Sequence, residues 1–92
     1  MHNLVYIICI SPRVLKIDAL NIAVKIYWKE RHGPHCHVIG PGAKASFDLI
    51  TLECLVSSGF SEMALNRIRK ALKRYQEFLL EKWDEIQEES KN

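Results

Sequence analysis

His35-Cys36-His37-Val38-Ile39-Gly40-Pro41-Gly42-Ala43-Lys44-Ala45-Ser46-Phe47-Asp48-Leu49 decides the fold. Gly40-Pro41-Gly42-Ala43 has Pro at the second turn position and Gly at the third, the chemistry of a type II turn. The flanking runs alternate, so they read as the two strands of an antiparallel hairpin. If Gly40 pairs with Ala43, His37 lies opposite Ser46 and His35 opposite Asp48. Cys36, Val38, Ala45, Phe47 and Leu49 then share the core face, while His35, His37, Lys44, Ser46 and Asp48 share the polar face. A slip of one residue would exchange the two sets and lose the burial of Phe47 and Leu49, so this register is preferred.

N-terminal to the hairpin, residues 20–28 alternate most strictly. Leu20, Ile22, Val24, Ile26 and Trp28 point one way, and Asn21, Ala23, Lys25 and Tyr27 the other. One apolar and one polar face suit an antiparallel sheet that is covered on one side. Residues 13–17 read as a short strand before a compact turn at Asp18-Ala19. Ser11-Pro12 stops any strand that precedes them. Residues 1–12 are expected to form an edge strand or an N-terminal extension, and residues 13–92 a single domain. Residues 50–56 read as an edge strand or loop, and Ser57-Ser58-Gly59 as a breaker.

A helix follows. Ser61 suits the N-cap, Glu62 suits the positive end of the dipole, and Phe60 and Leu65 occupy the positions of a hydrophobic staple. Ala64, Leu65, Ile68, Ala71, Leu72, Tyr75, Phe78, Leu79, Trp83 and Ile86 then recur at three- and four-residue steps. The spacing predicts one helix over residues 61–89, ~40 Å long at 1.5 Å per residue. So long a stripe is expected to outrun a small sheet. Its far end at Phe78, Leu79, Trp83 and Ile86 is therefore an expected interface with a second copy or a small partner protein.

The chain has 92 residues, 48% hydrophobic and 26% charged, which is one ordinary globular domain. A net charge of +2 is weak for a dedicated nucleic-acid binder, although nucleic acid stays open as a partner. Three cysteines without repeated spacing argue against a disulfide framework and for a reducing cytoplasm. The apolar run Leu4-Val5-Tyr6-Ile7-Ile8-Cys9-Ile10 lacks the basic flank and cleavage site of a signal peptide and is too short to span a membrane.

Taken in order, Ile26-Tyr27-Trp28, His32-Gly33-Pro34-His35-Cys36-His37-Val38, residues 43–49, Gly59-Phe60-Ser61 and a helix ending in Trp83-Asp84-Glu85-Ile86 resemble a small bacterial domain-of-unknown-function family (DUF4160). Gly33 and Cys36 stand at the variable places of its histidine segment. The resemblance spans about residues 13–90. It implies an α+β fold, a bacterial or phage origin and, in some cases, toxin–antitoxin-like gene contexts with a small partner gene. It implies no activity and carries over no catalytic residue.

The histidine run supports three readings. In one, Asp48 orients His35, and His37 or His32 is the complementary acid or base near neutral pH, with Lys29, Arg31 and Lys44 on a phosphate; the substrate would be RNA or another phosphate ester. In another, His32, His35 and His37 bind zinc or another divalent metal, with Asp48 or Glu30 as fourth ligand, although the spacing matches no zinc signature. In the third, the histidines are half-exposed strand residues satisfied by Ser46, Asp48 and backbone groups, and no cofactor is needed. Cys36 and Cys54 lack activating partners and read as small core residues.

The helix is basic first (Arg67, Arg69, Lys70, Lys73, Arg74) and acidic later (Glu77, Glu81, Asp84, Glu85, Glu88, Glu89). Pairs such as Lys70/Arg74 and Glu77/Glu81 repel at i,i+4. Either this is a solvated face, or two such helices pair antiparallel in a homodimer. The expected fold is thus α+β, a small twisted antiparallel sheet of four to five strands packed on one long C-terminal helix. The favoured function is a small cytosolic interaction module.

Overall fold

The hairpin has the expected register. In a computed structural model that describes residues 13–27 and 33–91, β3 (His35–Gly40) and β4 (Ala43–Asp48) pair Gly40 with Ala43, His37 with Ser46 and His35 with Asp48. Gly42 adopts φ +65°, the left-handed value that the third turn position requires.

Around this hairpin the chain builds an antiparallel meander in the order β1-β2-β3-β4-β5. β1 (Arg13–Ile17) and β2 (Ile22–Lys25) are joined by a 3-10 turn over Asp18–Leu20, where the compact turn was expected. Ile22, Val24 and Ile26 are buried, as their alternation requires, while Trp28 lies outside the described residues, as do residues 1–12. β5 (Cys54–Ser58) is an edge strand. It runs through Ser57 and Ser58, which read as a breaker in sequence: both pair with β4, opposite Ala45 and Lys44. The chain breaks one residue later, at Gly59. There φ is +92°, and a Cβ would lie 2.5 Å from the Gly42 carbonyl oxygen, so β5 ends packed on the hairpin turn.

Ser61 caps the first helix: its Oγ accepts from the Ala64 amide at 3.1 Å. Phe60 and Leu65, the staple positions, both pack against the core. The expected single helix is divided. α1 (Glu62–Arg74) and α2 (Gln76–Lys91) meet at Tyr75, whose φ −105°, ψ 12° leave the helical region and whose amide bonds back three residues to Leu72 at 3.1 Å. No Gly or Pro causes this. The next side chain, Gln76, donates from Nε2 to the carbonyls of Leu49 (2.8 Å) and Ile50 (3.1 Å), so the helix tightens where it is tied to the β4–β5 connection.

Both helices cover one sheet face. Val24, Val38, Ala45 and Phe47 on that face pack with Ile68, Leu72, Leu79 and Trp83. Each fully buried aliphatic or aromatic side chain contributes about 1.5–3 kcal/mol. Leu79 (0% exposed) and Trp83 (8%) are therefore core residues of this chain, which corrects their expected place at an interface. The sheet reaches further along the stripe than its size suggested, because α2 crosses the strand ends. Of the four, Phe78 is exposed and Ile86 is half-buried. No described helix is long and apolar enough to cross a membrane.

Candidate functional site

His35 and His37 project from the same side of β3, and their ring centroids are 5.2 Å apart. Their surroundings differ. His35 starts the strand, at the sheet end that α2 crosses. It is 7% exposed, and its ring lies 5.4 Å from that of Trp83. Its Nδ1 is 2.8 Å from the Gly33 carbonyl oxygen. A carbonyl only accepts, so Nδ1 carries the proton and the neutral ring is the Nδ1–H tautomer. His37 is half-buried, edge-on to Tyr27 at 4.8 Å, with Nδ1 3.3 Å from Ser46 Oγ. Trp83, His35, His37 and Tyr27 thus form an aromatic row running from the core to the uncovered face.

Asp48 stands opposite His35 in register, but its carboxylate serves another structure. Oδ1 accepts from the amides of Ile50 (2.7 Å) and Thr51 (2.9 Å) and so closes the turn that follows β4. The Thr51 amide, then that of Ile50, hold its carboxyl below the ordinary value of 3.8, and the charge of His35 is the smallest contribution. The expected orientation of His35 by Asp48 is replaced by the Gly33 carbonyl. The same turn is fastened from the helices by Gln76 and by Arg69, whose Nε donates to the Leu52 carbonyl at 3.0 Å. It holds Leu52 at φ 64°, a strained value for a branched side chain, with the side chain buried.

His32, Lys29, Arg31 and Glu30 lie outside the described residues. Of the expected phosphate-binding cations only Lys44 can be placed. It is exposed and lines a shallow groove of ≈270 Å³ with His37, Ile39, Ser46, Val56 and Ser58. Among the described residues no three His, Cys, Asp or Glu side chains converge as metal ligands. Cys36 is fully buried, and that burial pushes its thiol up to about 12, so it is no nucleophile. Cys54 places Sγ 3.5 Å from the Val56 carbonyl oxygen.

Sequence reasoning missed the tethers that set this end of the sheet: Gln76, Arg69, and Gln87, whose Nε2 donates to the Tyr27 carbonyl at 2.9 Å. One signal was present. Gln76 falls four residues after Leu72 and three before Leu79, a polar residue in the phase of the apolar stripe.

No curated protein and no solved structure matches the chain significantly. The profile of DUF4160, a domain of unknown function, matches residues 21–84, from the start of β2 into α2, and the chain belongs to that family.

Proposed function

We propose that this chain is a cytosolic interaction module of bacterial or phage type that holds a small partner protein on the uncovered face and edge of its sheet. The partner would be the product of a neighbouring gene in a toxin–antitoxin-like context. The observation that carries this reading is the one-sided cover of the sheet. Both helices pack on one face, while the other presents Tyr27, His37 and Ile39 and ends in β5, where Leu55 is 55% and Val56 65% exposed. Cys54-Leu55-Val56-Ser57-Ser58 has no charge and no Pro to guard the edge, and beyond the register shift that leaves Leu55 without a partner in β4 its pairing is regular from Val56 to Ser58. Such an edge accepts an added strand, with main-chain hydrogen bonds for affinity and alternate side chains for selection. The free thiols of Cys36 and Cys54 fit a reducing compartment.

A second reading, phosphate-ester chemistry at His37, is favoured by the groove that joins its ring to Lys44 and Ser46. It ranks lower because His35 is buried with Nδ1 committed to a carbonyl, and Asp48 is taken up by its turn.

Co-expression with the adjacent gene product, followed by light scattering on the purified complex, tests the module. A 1:1 complex is expected that is lost in Val56→Asp, a change at an exposed position that leaves the fold intact. A complex indifferent to Val56→Asp, or RNA cleavage that disappears in His37→Ala, would overturn it.

A further inference from the structure

The helices carry a second stripe, opposite the buried one. Arg67, Lys70, Arg74, Glu77, Glu81 and Asp84 follow one another at steps of three, four, three, four and three, and all six are exposed. This alternation averages 3.5 residues, the seam spacing of two paired helices. It keeps its side of the helices across the break at Tyr75: Leu72 and Leu79, seven residues apart on either side of it, are both fully buried in the same core. The three positions before the break are basic and the three after it are acidic.

An order of three cations followed by three anions is self-complementary under a twofold axis. Antiparallel pairing about a centre between Tyr75 and Gln76 sets Arg67 against Asp84, Lys70 against Glu81 and Arg74 against Glu77, each twice. A parallel pairing, or a shift of one heptad, brings like charges together. Within one chain the stripe is repulsive, since Lys70/Arg74 and Glu77/Glu81 are like-charged at i,i+4. A second copy supplies the missing opposite charges. Phe78, 38% exposed at the flank of this stripe, has Lys82 of its own chain 5.6 Å from its ring centroid, so it adds no charge conflict near the centre.

We infer that the outer stripe of α1 and α2 is a charge-registered docking surface for a second copy of this chain, forming an antiparallel, isologous helix pair. This does not rest on the partner-protein reading, since it uses the opposite side of the molecule. It also moves the expected homodimer from the Leu79–Trp83 stripe, which the sheet covers, to the outer face. Exposed ion pairs are weak and screened by salt, so the dimer is reversible and salt-sensitive.

Sedimentation velocity on the full chain tests it, with circular dichroism to confirm folding. A dimer is expected at low salt, with self-association weakened at least tenfold on raising salt from about 50 to 500 mM. Lys70→Glu alone and Glu81→Lys alone should each give monomer. The double variant Lys70→Glu/Glu81→Lys restores both pairs across the axis and should dimerise again. Monomer at every concentration at low salt overturns the inference. So does a dimer that ignores both single reversals, or a double variant that stays monomeric while folded.

Discussion

Two residues apart on one strand, His35 and His37 occupy different media. His35 sits at the closed end of the sheet, under Trp83 and beside the turn that Asp48, Gln76 and Arg69 hold together. His37 sits in the open middle, between Tyr27 and Ser46 at the rim of a shallow groove. Strand periodicity places both on one side, but an element arriving from far along the chain decides which one water reaches. A histidine-rich run is therefore no evidence of a shared site until the neighbours of each ring are known. Here one ring is a structural member of the closed end, and the other lines the rim of the groove beside Tyr27 and Ser46.

The largest perturbation to that contrast is removal of the cover. Trp83→Ala empties a buried aromatic site and is expected to cost about 3–5 kcal/mol in urea unfolding, a large part of the 5–15 kcal/mol typical of a domain. A loss below about 1 kcal/mol would mean that α2 does not close this end.

Asp48→Ala acts on the same end with a smaller effect. It removes the acceptor of two turn amides and should cost about 1–2 kcal/mol near neutral pH. The folded state holds this carboxyl below 3.8, so its contribution is fully present above that value and is lost as pH falls below it through the folded pKa. The stability gap between wild type and Asp48→Ala is thus expected to be constant from about pH 5 to 8 and to close in more acid solution. A gap that instead changed between pH 6 and 7 would implicate histidine as the partner of Asp48, contrary to the hydrogen bonds to Ile50 and Thr51.

How much of this was legible depended on the range of the cause. The hairpin could be read because its determinants are local: a Pro-Gly turn and an alternation that a slip would bury wrongly. The Ser61 cap was legible for the same reason. The division at Tyr75 was not, since no Gly or Pro marks it and Gln76 bonds carbonyls on a distant turn. Register makes Asp48 and His35 neighbours, which is what one of the three readings rests on, yet two amides of its own turn occupy the carboxylate. β5 continued through Ser57 and Ser58 because pairing with β4 overrides weak local preference.

Equilibrium urea unfolding of His35→Ala and His37→Ala, side by side, tests the division of the histidine pair most directly. His35→Ala removes a buried ring and its hydrogen bond to Gly33, with an expected loss of about 2–3 kcal/mol. His37→Ala acts at the half-buried rim, where it removes a longer bond to Ser46 and a ring contact with Tyr27, with a smaller expected loss of about 1 kcal/mol. Losses of equal size, or a larger one for His37→Ala, would contradict the account.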